Sequence, residues 1–414
     1  MKYYIIAGEA SGDLHGSNLM KGLYKEDPEA TVRFWGGDLM NEVYRSCEKF
    51  HSFNGSEDGT DRMSGGLIRH YKEGAIMGFW EVFKKAGRLL KNVGDCKKDI
   101  LAWKPDAVIL IDYPGFNFKI AEFAHKHGLK VFYYIAPKVW ASREGRIKKL
   151  KKYVDKLFIV FPFEIPYFER KGIDFIYKGN PLIDAIDNSE ASRETRSQFL
   201  RKNSLHDKPI IAMLAGSRKG EISTMMPVLT DFAGKLHKVP QYKDFQFIIA
   251  GAPARNMSEY SPVLEKFRQN YGSDAPEIKV IFGQTQSIVK NAEAAVVNSG
   301  TASLETVLLG TPQVVGFIMG SSITYSIAKR IVKVRFISLG NLIINRLAFK
   351  EFIQNECNSD NLVTEIRSLI EDHVYRNQML SDYREIREAL GGQGASAAVA
   401  KAMIDELRQE DKKV

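Results

Sequence analysis

Asp112 is the residue of this sequence best suited to proton transfer. It ends the apolar run Val108–Ile111, which has the length and composition of a buried strand. A carboxylate at the carboxyl end of such a strand lies at the mouth of a crevice, where it could act as general base on a hydroxyl. An aspartate in a turn also commonly accepts hydrogen bonds from the amides ahead of it. Position alone favours neither interpretation.

A second segment, Gly216-Ser217-Arg218, follows the apolar run Pro209–Leu214. Glycine permits close approach of a phosphate, serine and the backbone amides can donate hydrogen bonds, and arginine can bind a diphosphate through two nitrogens. The alternative is an ordinary turn between strand and helix with a surface arginine, and the neighbouring Lys219 and Glu221 are compatible with it.

A third segment, Asn298-Ser299-Gly300-Thr301, follows a buried strand and opens a helix. The free amides of a helix N-terminus suit a phosphate. Glu305 lies four residues after Thr301, on the same helix face, and could accept hydrogen bonds from both hydroxyls of a ribose. The alternative is a capped helix with an exposed glutamate.

The start of the chain has the same design. The apolar run Tyr3–Ala7 leads into a glycine turn, and a helical pattern follows. Strand, glycine turn and helix build the ligand crevice of open α/β sheets. The turn fits neither a P-loop nor a dinucleotide fingerprint. We expect Ser11 and Asp13 to cap the helix, and Gly8 and Gly12 to allow a tight turn and close approach of a ligand. A purely structural turn is the alternative.

Strand and helix patterns alternate along most of the sequence, as in a parallel sheet. The predicted strands are residues 3–7, 32–36, 107–111, 130–134, 157–161, 209–214, 245–250, 278–282, 294–297 and 313–317. A helical pattern covers 81–103, and the C-terminal part is helical. The segment 52–66 is rich in Gly, Ser, Asp and Asn and is interpreted as a loop or an insertion.

These patterns predict an α/β protein with two Rossmann-like domains and a cleft between them. We place the first domain at residues 1–185 and the second at 186–380. Residues 381–414 are predicted as C-terminal helices that pack back on the first domain.

Composition limits the class of protein. The chain has 414 residues, of which 44% are hydrophobic and 26% charged, as in a folded globular protein. Its three cysteines are far apart and fit a reducing compartment, and no metal-binding spacing is present. We find no leader and no apolar run long enough to span a bilayer, and therefore expect a cytoplasmic protein with at most peripheral membrane contact.

The formal net charge is +9, which favours anionic partners. No nucleic-acid-binding signature accompanies it, so no nucleic-acid partner is expected. An apolar, aromatic segment followed by basic residues suits a helix lying at a membrane surface. Its members are Met77, Phe79, Trp80, Phe83, Lys84, Lys85 and Arg88. The alternative is that the aromatic residues pack in a core and the basic residues form a solvated face.

Taken together, these motifs resemble the lipid-A-disaccharide synthase family of inverting glycosyltransferases. The matching segments occur in family order over most of the chain. They are Gly8–Asp13, Met77–Val82, Ile111–Asn117, Ala136–Ala141, Gly216–Arg218, Ser299–Glu305 and Ala328–Lys333.

The resemblance implies a GT-B architecture and transfer of 2,3-diacylglucosamine from its UDP derivative to the 6-hydroxyl of 2,3-diacylglucosamine 1-phosphate. It implies no cofactor and no metal. Asp112 would be the base. UDP would bind Gly216, Ser217, Arg218, Asn298, Ser299, Gly300, Thr301 and Glu305. The acceptor site would include Glu9, Ser11, Gly12, Asp13 and Asn117, and the enzyme would lie at the inner face of the inner membrane of a Gram-negative bacterium.

Two other functions remain open at this point. One is another GT-B enzyme that uses UDP-N-acetylglucosamine, either a peptidoglycan glycosyltransferase or a 2-epimerase. The other is a non-catalytic protein that binds a nucleotide sugar or an anionic lipid. An epimerase would turn over a UDP-sugar without any acceptor, whereas a binding protein would bind UDP tightly and transfer nothing.

Overall fold

A computed structural model describes residues 1–47, 65–74, 81–253, 255–319 and 335–411. Within these ranges the chain divides into two compact units. The first comprises residues 1–185 and 390–414, and the second residues 186–389. The divisions fall after residues 185 and 389, and the helix His373–Leu390 belongs almost wholly to the second unit.

The first unit contains a seven-stranded parallel sheet in the order β3-β2-β1-β4-β5-β6-β7. Its central strands are buried on both faces, as parallel sheets covered by helices must be. The strands are β1 (Lys2–Ala7), β2 (Thr31–Gly36), β3 (Gly66–His70), β4 (Ala107–Ile111), β5 (Lys130–Tyr134), β6 (Lys156–Ile159) and β7 (Phe175–Tyr177).

The second unit contains a six-stranded parallel sheet in the order β10-β9-β8-β11-β12-β13. Its strands are β8 (Ile210–Leu214), β9 (Gln246–Gly251), β10 (Ile278–Phe282), β11 (Ala294–Asn298), β12 (Gln313–Phe317) and β13 (Glu351–Ile353). The two sheets confirm the predicted α/β class and its pair of Rossmann-like domains.

All ten predicted strands are present, whereas three strands were missed. These are β3, β7 and β13, which lie at sheet edges. Their side chains are mostly half-exposed, so they lack the continuous apolar run that marks a central strand. The first of them begins at Gly66, the last residue of the predicted loop, and most of that loop lies outside the described residues.

Helices connect successive strands. Those of the first unit are α1 (Ala10–Glu26), α2 (Asp38–Ser46), α3 (Glu81–Trp103), α4 (Pro114–Lys126), α5 (Ile147–Tyr153), α6 (Glu164–Arg170) and, at the division between units, α7 (Pro181–Asp187). Those of the second unit are α8 (Glu190–Arg193), α9 (Arg196–Lys202), α10 (Lys219–His237), α11 (Ser261–Tyr271), α12 (Thr285–Lys290), α13 (Thr301–Leu309), α14 (Leu339–Ile343), α15 (Ser359–Glu371) and α16 (His373–Leu390).

The last helix, α17 (Ala395–Asp411), returns to the first unit and packs against α1. A Cβ atom on Gly22 would lie 2.8 Å from Cβ of Ala400, so glycine permits this close approach. The carboxylate of Asp184 accepts hydrogen bonds from the amides of Gly394 and Ser396 at 2.6 and 2.8 Å. These bonds satisfy donors at the start of the helix and hold it to the unit.

Over the residues that the structure describes, no helix is long and apolar enough to span a bilayer.

Candidate active site

The first candidate site lies where the strand order of the first sheet reverses, between β1 and β4. In open parallel sheets, ligands bind at the carboxyl ends of the two strands that flank this point. Ala7 pairs with Ile111 in the sheet register, so the chain leaves both strands side by side. Gly8 and Glu9 follow the first strand, and Asp112 follows the second. The topology thus brings together two segments that are about a hundred residues apart in sequence.

Asp112 has an unusual backbone held by three hydrogen bonds. Its φ is +43°, and that of Tyr113 is +46°, a left-handed conformation that side chains with a Cβ rarely adopt. The amide of Asp112 donates to the carbonyl of Tyr134 at 3.1 Å. Its own carbonyl accepts from the Tyr133 hydroxyl at 2.7 Å and from Asn117 Nδ2 at 2.8 Å. Strain that neighbouring bonds maintain is a feature of functional sites.

Asn117 is completely buried, so the structure does not present it to solvent as an acceptor contact would require. Its Nδ2 donates to the carbonyls of both Ile111 and Asp112, at 3.2 and 2.8 Å. The side chain therefore supports the backbone of the Asp112 turn.

The glycine turn after β1 serves packing. A Cβ on Gly8 would lie 2.3 Å from the Tyr113 ring, so glycine makes room for that ring beside the strand end. A Cβ on Gly12 would approach Cβ of Ala7 to 3.2 Å. The Glu9 carboxylate and burial of the phenol both raise the pKa of Tyr113, with burial the larger cause. Glu9 and Ser11 are exposed at this edge, as a ligand contact would require.

Asp13 caps a different helix from the one expected. It is buried, and its carboxylate accepts hydrogen bonds from the amides of Gly37, Leu39 and Met40 at 2.7, 3.1 and 3.1 Å. These amides open α2, not α1, whose N-terminus has no side-chain cap. The expectation that Ser11 and Asp13 cap their own helix is wrong, because the strand order brings the start of α2 against Asp13.

A second strained residue, Ile135, follows β5 at the same edge of the sheet. Its φ is +62°, which is rare for a β-branched residue. Beyond it, the Trp140 indole donates to the buried carboxylate of Glu164 at 3.1 Å. The amides of Val160 and Phe161 donate to the same carboxylate. Burial nevertheless dominates and raises the pKa of Glu164 to about 7.

The second candidate site lies at the equivalent point of the other sheet, between β8 and β11. Leu214 pairs with Val297 in the sheet register. The turn that contains Gly216 therefore lies beside Asn298. Gly216 has a φ of +106°, and a Cβ there would lie 2.6 Å from Asn298 Nδ2. Glycine is therefore required at this turn. The two segments predicted to bind UDP, 216–218 and 298–301, meet here.

The amides predicted to bind phosphate in the first of these segments are occupied by a carboxylate. Glu221 Oε2 accepts from the amides of Ser217 and Arg218 at 2.9 and 3.1 Å. Glu221 Oε1 accepts from Nη1 of Arg218 at 3.1 Å. A diphosphate that uses these amides must displace Glu221. Glu221 lies in the first turn of α10, which is a capping position, so this contact follows from local sequence.

Backbone donors remain at the start of α13. The first amides of a helix have no partner within the helix. Gly300 lies in an open position, since an added Cβ would meet no atom within 4 Å, and Thr301 is exposed. The Ser299 amide, by contrast, donates to the carbonyl of Gly316 at 3.0 Å. A helix start of this kind suits an anion, whereas Glu221 already accepts from the amides of Ser217 and Arg218.

Glu305 lies one turn into the same helix and is half-buried. Loss of water around its carboxylate raises its pKa, while a hydrogen bond with Gln286 opposes that rise. A desolvated carboxylate gains more from hydrogen-bonding partners than an exposed one does. The contact with Gln286 was not anticipated, because nothing in the local sequence marks that glutamine.

Most of the predicted membrane segment lies outside the residues that the structure describes. Met77, Phe79 and Trp80 are outside the described residues, as are the side chains of Phe83, Lys84, Lys85 and Arg88 within α3. In the described part of that helix, the side chain of Leu90 is 60% exposed.

Among side chains that the structure describes, no group of three or more His, Cys, Asp or Glu converges as metal ligands.

Comparison with protein families gives one match that covers most of the chain. Residues 63–403 match the model of the lipid-A-disaccharide synthetase family. A lipid-A-disaccharide synthase of Geobacter metallireducens is 32% identical over 403 residues, covering 97% of this chain and 96% of the relative. That of Syntrophus aciditrophicus is 33% identical over 408 residues, covering 98% of each. That of Coxiella burnetii is 32% identical over 399 residues, covering 96% of each.

Solved structures share the fold at low sequence identity. The S. aureus MnaA-UDP co-structure has a TM-score of 0.66 at 15% identity and covers 99% of this chain and 97% of its own. A UDP-GlcNAc 2-epimerase from Neisseria meningitidis, bound to UDP-GlcNAc, has a TM-score of 0.61 at 14% identity, with 98% and 100% covered. At such identities the likeness concerns the fold, which is that of GT-B proteins.

Proposed function

The chain belongs to the lipid-A-disaccharide synthase family of glycosyltransferases, and we propose on this premise which substrates it uses and which residues act on them. The donor is UDP-2,3-diacylglucosamine and the acceptor is 2,3-diacylglucosamine 1-phosphate. The 6-hydroxyl oxygen of the acceptor forms a bond to C1 of the donor sugar, and the bond between C1 and the diphosphate breaks. The products are a β-1,6-linked disaccharide 1-phosphate and UDP.

Asp112 takes the proton of the acceptor hydroxyl as that oxygen attacks. The observation that carries this assignment is the left-handed backbone of Asp112 at the strand-order reversal of the first sheet. Hydrogen bonds from Tyr133 and Asn117 to its carbonyl hold the backbone that carries the carboxylate. A base on a fixed backbone loses less entropy when the acceptor binds.

UDP binds at the strand-order reversal of the second sheet. Its diphosphate accepts hydrogen bonds from the open amides at Gly300 and Thr301 and from Arg218 once Glu221 has been displaced. Glu305 accepts hydrogen bonds from the ribose hydroxyls. Fixed donors and a guanidinium stabilise the negative charge that develops on the departing diphosphate, so the proposed reaction requires no metal ion.

Acylated substrates reside in a bilayer, so the protein has to meet a membrane surface. We assign this contact to the N-terminal part of α3 and the residues before it, where an apolar, aromatic segment is followed by basic residues. The exposed Leu90 is consistent with an apolar surface on this helix. The enzyme would then act peripherally at the inner face of the inner membrane.

The proposed function is tested by incubating purified protein with both diacyl substrates and detecting the products by mass spectrometry. We expect a tetraacyl disaccharide 1-phosphate and an equal amount of UDP. Turnover of UDP-N-acetylglucosamine without any acceptor would instead identify a 2-epimerase. Tight UDP binding without transfer to any lipid acceptor would identify a non-catalytic binding protein.

A further inference from the structure

Two arginines lie on the segment that follows β5, the strand adjacent to β4 and the Asp112 turn. Arg143 is exposed and has a left-handed backbone with a φ of +58°. Its carbonyl accepts a hydrogen bond from the amide of Arg146 at 2.9 Å, which closes a tight turn. Arg146 is half-buried. The turn therefore holds two guanidinium-bearing residues three positions apart at this edge of the sheet.

Arg146 is connected to Asp112 by a chain of contacts. Its guanidinium carbon lies 5.7 Å from the centre of the Phe118 ring, and that ring lies 5.7 Å from the ring of Tyr133. The Tyr133 hydroxyl donates to the carbonyl of Asp112 at 2.7 Å. Burial is the main cause of the raised pKa of Tyr133; the Asp112 carboxylate raises it further, whereas the Arg146 guanidinium lowers it.

Neither arginine is neutralised within the described part of the chain. No carboxylate lies within 4.0 Å of Arg143 or Arg146 there, in contrast to Arg33, Arg346 and Arg387 of the same protein, which each form an ion pair. Burial is the main cause, and the neighbouring Arg143 the second, of a lowered pKa at Arg146. A partly desolvated guanidinium beside a second cation is unfavourable, and an anion bound by both would offset that cost.

We propose that Arg143 and Arg146 bind the phosphate monoester of the acceptor. This inference rests on the proposed function, because it takes the acceptor to be a sugar 1-phosphate. A phosphate monoester carries close to two negative charges at neutral pH and has oxygens that match the two-pronged geometry of guanidinium groups. Binding the phosphate here would hold the acceptor sugar beside Asp112 and select phosphorylated over unphosphorylated acceptors.

The neighbouring helix α5 also carries basic residues, which could bind phosphate from a different source. It carries four exposed lysines, Lys148, Lys149, Lys151 and Lys152, which suit the phosphates of lipid headgroups at an anionic surface. Arg146 differs from these lysines, because it is half-buried and its guanidinium lies over the Phe118 ring, which packs against Tyr133. We therefore assign the phosphate of the bound acceptor to the arginines.

The test is steady-state kinetics of the double variant Arg143→Gln/Arg146→Gln with two acceptors, 2,3-diacylglucosamine 1-phosphate and the same lipid without its phosphate. We expect KM for the phosphorylated acceptor to rise about 10- to 100-fold, as loss of charge-assisted hydrogen bonds predicts. KM for the UDP donor should not change. The wild type and the variant should use the unphosphorylated acceptor equally poorly. The single variant Arg143→Gln, at an exposed position, should show a smaller rise without any effect on folding.

A matched control is Lys148→Gln/Lys151→Gln, which removes the same charge from exposed positions of the adjacent helix. An equal rise of the acceptor KM in this control would overturn the proposal in favour of a general basic surface. An unchanged acceptor KM in the arginine variant would also overturn it, as would loss of anionic-vesicle binding without a kinetic effect. Absence of disaccharide from the wild type would instead refute the proposed function on which the inference rests.

Discussion

The hydroxyl of Tyr133 donates a 2.7 Å hydrogen bond to the backbone carbonyl of Asp112. Tyr133 belongs to β5 and Asp112 follows β4, so the bond joins neighbouring strands at the edge where the proposed base lies. The phenol is buried, and burial is the main cause of its raised pKa. It therefore remains a donor at any pH at which the enzyme works, and the conformation of the Asp112 turn does not depend on its titration.

Asp112→Asn should abolish most activity, because the amide has nearly the shape of the carboxylate and cannot act as base. Loss of a general base typically lowers the rate about 10²–10⁴-fold. We expect kcat to fall by that amount while UDP affinity, measured by calorimetry, stays unchanged. Asp174→Asn, which changes an exposed carboxylate of the same unit, is the control. Near wild-type turnover of Asp112→Asn would remove Asp112 from this role and leave Glu9 as the next candidate.

Arg218→Ala and Glu305→Ala should affect UDP in different ways. Arg218 contacts the diphosphate in the proposed complex, so its loss should weaken UDP and inorganic pyrophosphate alike, by about 10- to 100-fold. Glu305 contacts the ribose, so its loss should weaken UDP and spare pyrophosphate. The lost pair of Arg218 with Glu221 is exposed and contributes little to stability. Calorimetry with both ligands measures these effects, with Glu293→Ala as control. Unchanged UDP affinity in both variants would show that the site lies elsewhere.

Asp13→Ala should destabilise the first unit without a direct effect on substrate binding. The change leaves the buried amides of Gly37 and Met40, and that of Leu39, without their acceptor. Unsatisfied buried donors cost about 1–3 kcal/mol each, so we expect the free energy of unfolding to fall by about 2–4 kcal/mol in urea titrations. Asp13→Asn keeps one acceptor oxygen and should lose less. Normal stability combined with a raised acceptor KM would instead indicate a ligand contact.

Glu164 should make stability depend on pH. Its pKa is raised from 4.5 to about 7, so between these values the folded protein holds a proton that the unfolded chain has released. Stability must therefore fall as pH rises from about 5 to 7, by on the order of 2–3 kcal/mol. His15, whose pKa is lowered to about 4 by burial, has the opposite effect over part of this range.

The contribution of Glu164 is isolated by comparing the wild type with Glu164→Gln. The difference between their urea midpoints should change with pH between 5 and 8, whereas the effect of His15 cancels. Because the Trp140 indole donates to Glu164, its fluorescence should change over the same range, and Trp140→Phe should remove that signal. A difference that is flat with pH would contradict the raised pKa.

Replacing Lys84, Lys85, Arg88 and Lys91 with Gln should weaken binding to anionic vesicles. Each basic residue near such a surface contributes on the order of 1 kcal/mol, and salt screens the attraction. Sedimentation with vesicles at low and high salt measures the effect. A control removes four exposed basic residues of the second unit, Lys238, Lys243, Lys266 and Arg268. The assignment fails if the wild type does not bind vesicles, or if the variant binds equally well at low salt.

The sequence by itself determined the fold class and the order of the main elements. Apolar runs such as Ala107–Ile111 must be buried, and burial on both faces is specific to central strands of a parallel sheet. Residues that follow such runs within one or two positions, Asp112 and Gly216 among them, therefore had to lie at the carboxyl edge of a sheet. Half-exposed edge strands such as Phe175–Tyr177 lack this pattern and were missed for that reason.

Only the tertiary structure decided which partners the polar side chains have. Asp13 accepts hydrogen bonds from amides 24 to 27 residues away in sequence. Glu164 accepts one from the Trp140 indole, 24 residues away. Such contacts depend on strand order, which brings together chain segments that have no common periodicity. Hydrophobic patterning reports how much of a segment is buried, whereas a hydrogen bond depends on the position of a single distant atom. That difference explains why the strand ends were predictable and the contacts of Asp13 and Asn117 were not.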